Sequence, residues 1–430
     1  MLSGNSTKGT HASQNRYRIV TPLRQVRGEA CMNVSRNLFA YSAGILVALL
    51  LVAFFTPSAA YGSDAVDSYI ASVSQLLQRH RSALPRLIAP ANETATALIR
   101  GGAFYLGGYQ GWVDEGLGRA GGLMMVRPLS RSKSVSKGDV VWLAYTPSTY
   151  SEVQQQAKEL ESQGCLVIAF GPKLASGAPQ FTHWIDSLTP PTADNADTEM
   201  GNVLSLWTLT GEVAASVSRQ GKTLVFWQSI DIWGSGIRNK MYQGMAFHDG
   251  FPKMFPTPPG VLSEDYIAYV QNMLQNIREW ELPKIISVGK EMARRAAEGQ
   301  PALLTAMSHM MPFVIDQNSK LFRYIPIPQK QDEVGSQLHQ GDFFVFIGYV
   351  GVYLDVLRQV RMAGATAAWI IAPLHTGVHL ARYGDVMISQ HWHAGDCAVE
   401  APGYDVRILP PSGIAQLFIY EIMLRAAGTH

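Results

Sequence analysis

The sequence is poor in cysteine and in charged residues, and it has few long apolar runs. Its 430 residues include three cysteines, and 16% of them are charged against 47% that are hydrophobic. Three cysteines are too few for a disulfide-built scaffold, and a chain this apolar is not disordered over long stretches. Only one uncharged apolar run is long enough to span a bilayer, which excludes a polytopic membrane protein. The length allows two or three domains with their own cores.

The single long apolar run covers residues 38–55. It follows a basic residue and precedes small residues up to Ala60, a pattern typical of a secretory signal with cleavage after Ala60. Residues 1–60 are therefore expected to form a leader, with Met32 as the expected start. An uncleaved membrane anchor and a helix buried in a core are the alternatives. With a signal or an anchor, the rest of the chain is exported, and the membrane is contacted only through this segment.

The leader also carries the basic excess of the chain. Of 35 basic and 33 acidic residues, six basic residues and one acidic residue lie in residues 1–60, which leaves 29 against 32 in the rest. No basic patch with interleaved aromatic residues remains after this segment. Nucleic acid is therefore not expected as a partner.

The sequence contains two copies of one structural unit. DSYIASV at 67–73 corresponds to EDYIAYV at 264–270, and each copy continues as an amphipathic helix followed by a second helical stretch. Further on, KGDVVWLAYTPSTYSEV from 137 corresponds to QGDFFVFIGYVGVYLDV from 340. Each of these is a turn, an apolar strand, a loop and an acidic residue, Glu152 or Asp355, that begins a helical pattern.

This order of strand, loop, helix and strand is typical of βαβ units, and near-continuous apolar strands favour a parallel sheet covered on both faces. We therefore predict an α/β protein with two similar domains, 61–229 and 263–430, each a parallel-sheet αβα sandwich. A segment rich in Gly and Pro at 230–262 is expected to be the linker. The two copies are expected to pair within one chain, or two chains to form a homodimer.

Three stretches resemble the SIS (sugar isomerase) domain family. The stretch GDVVWLAYTPSTYSEVQQQAKELESQGCLVIAF, from 138, is similar to its central strand, Ser/Thr-rich loop, helix and following strand. YLGGYQGW, from 105, resembles its first strand and glycine-containing turn, and HLARYGDVMI, from 379, is similar to a later strand. The resemblance covers about 66–225 and 264–428.

The resemblance implies two tandem SIS-like domains with flavodoxin- or Rossmann-like sheets after the leader. It also implies a sugar phosphate or a related small anionic carbohydrate as the ligand, with Gly107 and Gly108 near it. No cofactor is expected.

The loop before Glu152 has the chemistry of a phosphate site. Thr146, Ser148, Thr149 and Ser151 place four hydroxyls where a strand gives way to a helix. Hydroxyls and backbone N–H groups at a helix N-terminus bind phosphate, because that end of the helix carries partial positive charge. An ordinary N-cap turn is the alternative. The matching loop at 348–353 has no Ser or Thr, so one phosphate loop is expected and not two.

Candidates for catalysis are less specific. Aldose–ketose isomerisation needs a base, usually a carboxylate, and a group that assists ring opening, often His. Glu115, Glu199 and His309 lie near expected strand ends, and Glu199 and His309 are the predicted catalytic pair. A solvated or structural role is the alternative for each of them.

A late cluster of histidines, His375, His379, His391 and His393, suggests a third possibility. Two His residues four apart can share a helix face, and a His-x-His pair can clamp a metal ion. However, Gly377 weakens such a helix, and no Glu accompanies the histidines as in zinc hydrolases. We therefore expect no metal, and expect His391 and His393 to line the sugar pocket or the surface.

The sequence thus favours a protein that binds a carbohydrate derivative through tandem SIS-like domains, without requiring catalysis. A phosphosugar isomerase is the first alternative. A metal-dependent hydrolase that uses the histidine cluster is the second.

Overall fold

A computed structural model describes residues 64–129, 135–190, 195–326, 334–349, 354–372, 384–393 and 395–429. All of these residues belong to the second of two compact units into which the chain divides, Ala60–His430. The apolar run at 38–55 lies outside the described residues. Within the described ranges, no helix is long and apolar enough to cross a membrane.

The first half of the described chain contains five strands and five helices that build one α/β layer structure. The strands are β1 (Phe104–Gly108), β2 (Val126–Pro128), β3 (Val140–Ala144), β4 (Leu166–Gly171) and β5 (Trp184–Asp186). The helices are α1 (Asp64–Ala83), α2 (Ile88–Ile99), α3 (Gln110–Gly116), α4 (Tyr150–Ser162) and α5 (Asn195–Arg219). The sheet has the order β2-β1-β3-β4-β5, and every neighbouring pair is parallel.

The second half repeats this arrangement. Its strands are β6 (Ala302–Met307), β7 (Phe322–Tyr324), β8 (Phe343–Gly348), β9 (Thr366–Ile371) and β10 (Val386–Ser389), followed by the short antiparallel pair β11 (Val399–Glu400) and β12 (Arg407–Ile408). The helices are α6 (Ser235–Tyr242), α7 (Val261–Trp280), α8 (Leu282–Ala297), α9 (Met311–Val314), α10 (Leu354–Ala363) and α11 (Ser412–Ala426). The sheet order is β10-β9-β8-β6-β7, again parallel throughout, and it matches the first sheet strand for strand.

The central strands are buried on both faces, because alternate side chains enter different hydrophobic clusters. In β3, Val140 and Trp142 belong to a large cluster, whereas Val141 and Leu143 pack with α4 on the opposite face. Strand β8 alternates in the same way, and its opposite face packs with α10. Each sheet is therefore covered by helices on both sides.

The large cluster is shared by the two halves. It contains inward-facing residues of both sheets together with helices of both copies. Helix α5 packs on α7 at the junction, where the hydroxyl of Ser263 donates to the carbonyl of Thr208 across 2.7 Å. Among the described residues, the members of the three clusters all lie at or after Val66, so the unit Ala60–His430 has its own core.

The predicted α/β fold with two parallel sheets is confirmed, and the two copies pack on each other within one chain. The helix predicted from Glu152 begins two residues earlier, at Tyr150, which places Ser151 in its first turn. The segment 230–262 contains the short helix α6. The domain boundaries around that segment stay a prediction.

Candidate functional site

The hydroxyl-rich loop lies between the carboxyl end of β3 and the first turn of α4. Thr146 is buried, Thr149 is half-buried, and Ser148 and Ser151 are exposed. The Oγ1 of Thr146 lies 2.8 Å from the Oγ of Ser148 and 3.2 Å from the Oγ1 of Thr149. The backbone N–H of Thr146 also donates to the Oγ1 of Thr149 across 2.9 Å. Three hydroxyls therefore converge within this one turn.

The hydrogen bonds of this loop bear on its two interpretations. Side-chain bonds of this kind hold many Ser/Thr turns, as the structural alternative expects. A purely structural N-cap would also use its hydroxyl to accept a hydrogen bond from the first turn of the helix. Thr149 occupies the N-cap position of α4, but its hydroxyl makes no such bond. The positive end of α4 is therefore not capped by this hydroxyl.

Gly107 and Gly108 end strand β1, where it lies beside β3. A Cβ on Gly108 would collide with the carbonyl oxygen of Ala144, and the φ of +105° at Gly108 disfavours any other residue. A Cβ on Gly107 would lie 2.8 Å from the Cδ2 of Leu143. The close approach of the two strands thus accounts for both glycines. They bring the backbone to the carboxyl edge of the sheet, where parallel sheets bind ligands.

A polar cluster formed by Tyr109, Glu199 and Asn202 adjoins the same edge, and we call it the Glu199 cluster. Tyr109 directly follows β1, and its phenol lies close enough to the carboxyl group of Glu199 to affect its pKa. The Nδ2 of Asn202 donates to the phenol oxygen of Tyr109 at 3.0 Å and to the carbonyl of Tyr145 at 3.1 Å. Because Tyr145 immediately precedes Thr146, this cluster borders the hydroxyl-rich loop.

Burial dominates the electrostatics of the Glu199 cluster. It raises the pKa of Glu199 to about 8, and the nearby carboxylate of Glu115 adds to the rise, while the hydrogen bond from Tyr109 opposes it. Burial and the charge of Glu199 also raise the pKa of Tyr109. Among the described residues, the Oε2 of Glu199 and the Oδ1 of Asn202 have no hydrogen-bond partner. Two buried oxygens on one face of α5 are thus left for a hydrogen-bond partner.

Glu199 is one of the candidates predicted from the sequence, whereas Tyr109 and Asn202 are not among them. Tyr109 stands in the YLGGYQGW stretch, whose glycines alone were singled out. Asn202 is the one amide in a run of α5 that is otherwise largely apolar or small, and a polar residue on a fully buried helix face was the available signal.

The structure places His309 at the junction between the halves. It follows β6, its ring lies 5.9 Å from that of Tyr349, and it is near the backbone of Asp114 and Leu117, which opposes the fall in its pKa. Burial and the charge of Arg119 lower the pKa of His309 to about 3, so the ring is neutral at physiological pH. The ring of His309 therefore lies beside backbone groups of the first half.

Buried glutamine side chains occupy the described part of the corresponding edge of the second sheet. Ser308 donates to the Oε1 of Gln416 at 2.5 Å, and the Nε2 of Gln390 donates to the carbonyl of Gly348 at 2.5 Å. The Oε1 of Gln390 accepts from Trp392 at 2.8 Å. Both glutamines are fully buried. The described amides of this edge are therefore paired with one another or with the backbone, in contrast to the free oxygens of the Glu199 cluster.

The two described histidines of the late cluster contact helices of the second half. The Nε2 of His391 lies 3.0 Å from the Oε1 of Glu281, and the backbone N–H of His393 donates to the hydroxyl of Tyr269 at 2.8 Å. His375 and His379 lie outside the described residues. Within those residues, no three His, Cys, Asp or Glu side chains come together in a way that could hold a metal ion.

A second buried polar network lies behind the Glu199 cluster. Arg119 is enclosed between Glu115 and Asp396, and it also donates to the hydroxyl of Ser412. Trp207 donates from Nε1 to the Oε1 of Glu115 at 3.2 Å. Burial raises the pKa of both carboxyl groups, although Arg119 opposes the rise. Glu115, a candidate for catalysis, is thus committed to an ion pair.

No protein-family model matches the chain, and no curated protein matches it. Among solved structures, the chain is similar to the C-terminal domain of glucosamine-fructose-6-phosphate aminotransferase from Francisella tularensis, with 8% identity, a TM-score of 0.44, and coverage of 83% of this chain and 97% of that one. It is also similar to a candidate phosphosugar isomerase from Silicibacter pomeroyi, with 13% identity, a TM-score of 0.41, and coverage of 82% and 97%.

A third similar structure is a candidate sugar-binding protein from Salmonella typhimurium, with 9% identity, a TM-score of 0.42, and coverage of 81% and 98%. In each of these three comparisons the matched region covers nearly the whole of the solved structure. Similarity at this level does not assign a ligand or a reaction to this chain.

Proposed function

We propose that the first half of the chain binds a sugar phosphate, or a related small anionic carbohydrate, at the carboxyl edge of its sheet. The observation that carries the proposal is the convergence of the hydroxyls of Thr146, Ser148 and Thr149 directly before α4, where Thr149 makes no side-chain capping bond, beside the buried Glu199 cluster. An anion is stabilised at such a helix end by hydroxyl donors and backbone N–H groups.

The two parts of the site match the two parts of such a ligand. The hydroxyl-rich loop suits the phosphate or another anionic group. The free Oε2 of Glu199 and the free Oδ1 of Asn202 suit sugar hydroxyls, which are hydrogen-bond donors. A ligand hydroxyl that pairs with these oxygens would remove the cost of leaving them buried and unpaired.

Binding can be tested by thermal unfolding and calorimetry with inorganic phosphate, neutral sugars and sugar phosphates. A ligand at a hundred times its dissociation constant stabilises the fold by about 2.7 kcal/mol. The double variant Ser148→Ala/Thr149→Val should lose most of the affinity for the phosphorylated members of the panel. Ser162→Ala, which removes an exposed hydroxyl from the last turn of the same helix, is the matched control. Unchanged affinity in the double variant would remove the loop from the site.

A phosphosugar isomerase is the second candidate, and one observation favours it. With a pKa raised to about 8, Glu199 can take up and release a proton near neutral pH. Incubation of the protein with a sugar phosphate in D2O, followed by NMR, would detect exchange of the proton next to the carbonyl. Exchange that is present in the unaltered protein and absent in Glu199→Gln, with binding retained, would support catalysis. Binding without exchange would argue against catalysis and support sugar-phosphate binding alone.

We also propose that the leader directs the rest of the chain out of the cytosol, as a cleaved signal or as an anchor. The proposal rests on the uncharged apolar run at 38–55 and the small residues that end at Ala60. N-terminal sequencing of the protein recovered from membrane and soluble fractions distinguishes cleavage after Ala60 from retention of the anchor.

A further inference from the structure

Six large apolar side chains of the segment between the two copies are exposed. They are Ile230, Trp233, Ile237, Met241, Phe251 and Phe255, which we call the apolar surface. Their exposed fractions range from 60 to 98%, and that of Trp233 is the highest. Ile237 and Met241 are four residues apart in α6 and so share one face of the helix, and Trp233 lies just before the helix.

The apolar surface is held in place by the opposite stripe of α6. Arg238 forms an ion pair with Asp405 at 2.7 Å, donates to the carbonyl of Phe226 at 2.8 Å and lies over the ring of Tyr404. Tyr242 packs against His248, which is hydrogen-bonded to Tyr404 at 2.8 Å. The apolar stripe therefore faces solvent because the polar stripe of the same helix is the one that binds the protein.

The second segment of the apolar surface is fixed to the same turn. The backbone N–H of Phe255 donates to the carbonyl of Pro402 at 2.8 Å, and the ring of Phe255 lies against Gly403. Both segments thus border the turn at 402–405. The fold therefore holds the apolar surface in place at two points, through α6 and through the backbone of Phe255.

We propose that the apolar surface docks on the lipid–water interface of a membrane. Side chains that are exposed by 60 to 98% stand clear of their neighbours and form knobs without matching pockets. A protein partner would need complementary holes packed to interior density, whereas a fluid bilayer adapts to any such shape. Trp, Phe, Ile and Met are also the side chains with which interfacial helices enter the boundary between headgroups and acyl chains.

The length of the preceding chain supports a lipid surface over a second copy of the protein. The apolar run ends at Phe55, and the described fold begins at Asp64, so eight residues separate them. Eight extended residues reach roughly 28 Å. A retained anchor would thus leave the apolar surface within reach of lipid, and the affinity of the apolar surface itself is what vesicle binding without the anchor measures.

The charges around the apolar surface predict how docking depends on lipid type. Exposed Lys240 and Lys253 are balanced by Asp231 and Asp249, and Arg238 is already paired. Attraction to anionic headgroups therefore contributes little. Docking should depend on insertion of the apolar side chains and should change little between zwitterionic and anionic vesicles, or with added salt.

Flotation with phosphatidylcholine vesicles tests the proposal with residues 61–430, which contain the whole hydrophobic core and lack the apolar run. The unaltered unit should float with the vesicles. Trp233→Ser/Ile237→Ser should lower the partition coefficient by about ten-fold or more, since two large apolar side chains no longer insert. Trp280→Ser/Met362→Ser, which removes two other exposed apolar side chains, should bind like the unaltered unit.

Three results would overturn the proposal. They are absence of vesicle binding in the unaltered unit, equal loss in the two double variants, and binding that requires anionic lipid. A concentration-dependent dimer in sedimentation that disappears in Trp233→Ser/Ile237→Ser, without vesicle binding, would assign the apolar surface to a second copy. Both double variants should keep the melting temperature of the unaltered unit, because all four side chains are exposed.

Discussion

The guanidinium of Arg119 donates from Nη2 to the Oδ2 of Asp396 across 2.9 Å, although the two residues are 277 positions apart. Arg119 follows α3 of the first copy, and Asp396 precedes α11 of the second. Both side chains are almost completely buried, and Glu115 completes the charge balance around Arg119. A buried ionic contact therefore links the two copies inside a largely apolar core.

Removing one partner from this network should be far more costly than removing a surface pair. Asp396→Ala leaves Arg119 buried with a single carboxylate, and we expect a loss of about 3–5 kcal/mol in the free energy of unfolding. Urea denaturation measures this loss. In the exposed pair of Arg358 and Asp355, Asp355→Ala is the control and should cost less than about 1 kcal/mol. Equal costs would mean that the buried pair does not specify the junction.

Two glycines with similar backbone angles separate steric collision from backbone strain. Gly108 has a φ of +105° and no room for a Cβ, whereas Gly101 has a φ of +98° and nothing within 4 Å of such a Cβ. Gly101→Ala should cost about 1 kcal/mol, the price of a left-handed alanine. Gly108→Ala should cost several times more, since β1 must move away from β3. Chemical denaturation of both variants gives the comparison.

The fold followed from the sequence to a greater degree than the site did. Strands such as VVWLA at β3 and FFVFIG at β8 are continuous apolar runs, and parallel strands buried on both faces require that pattern. The repeated DSYIASV and EDYIAYV begin near the starts of α1 and α7, so the duplication was visible in local order. Helix α4 begins at Tyr150, two residues before the predicted start at Glu152, because Tyr and Ser occupy the first turn of a helix as readily as Glu does.

The site depends on contacts that no local pattern records. Glu199 gained its environment from Tyr109, which is 90 positions away, and His391 found Glu281 at a separation of 110 positions. His309 was predicted to be catalytic because it follows a strand, and its position near the backbone of Asp114 and Leu117 at the junction between the copies could not be read from local order. Burial and long-range pairing decide such roles, and both arise only once the chain has folded.

The buried His309 should make the protein sensitive to acid. Its pKa is lowered from 6.5 to about 3 in the folded state, so the unfolded state binds the proton first as the pH falls. The stability that His309 contributes is present above pH 6.5 and declines below it, by up to about 3 kcal/mol at pH 4, at 1.36 kcal/mol per pH unit.

The variant His309→Gln should therefore lose less stability than the unaltered protein between pH 6.5 and pH 4. Urea denaturation at a series of pH values gives the slope, and the exposed His339→Gln should leave it unchanged. Sugar-phosphate affinity should also survive His309→Gln, because the ring lies at the junction between the two halves and not in the hydroxyl-rich loop. A loss of affinity without a change in the acid slope would return His309 to the site.

Glu199 should have the opposite effect on the pH dependence of stability. Its folded pKa of about 8 exceeds the ordinary value of 4.5, so the folded state holds the proton longer than the unfolded state does. Stability therefore falls as the pH rises from about 4.5 to about 8, by up to about 5 kcal/mol. Glu199→Gln keeps the shape and removes the titration, so it should match the unaltered protein at pH 5 and exceed its stability at pH 8.5. Parallel curves for the two proteins would contradict the assignment.

The charge of Glu152 gives a test of the anion site that does not depend on removing a hydroxyl. Glu152 lies in the first turn of α4, where its carboxylate competes with a bound phosphate for the positive end of the helix. Glu152→Gln should therefore strengthen binding of inorganic phosphate by about two- to five-fold, corresponding to roughly 0.3–1 kcal/mol. Glu161→Gln, near the other end of the same helix, removes the same charge outside the site and should leave affinity unchanged. Calorimetry at low salt measures both variants, and the difference should shrink as ionic strength rises, since added ions screen the carboxylate. Equal gains in the two variants would point to net charge alone, and no gain in either would place the anion away from α4.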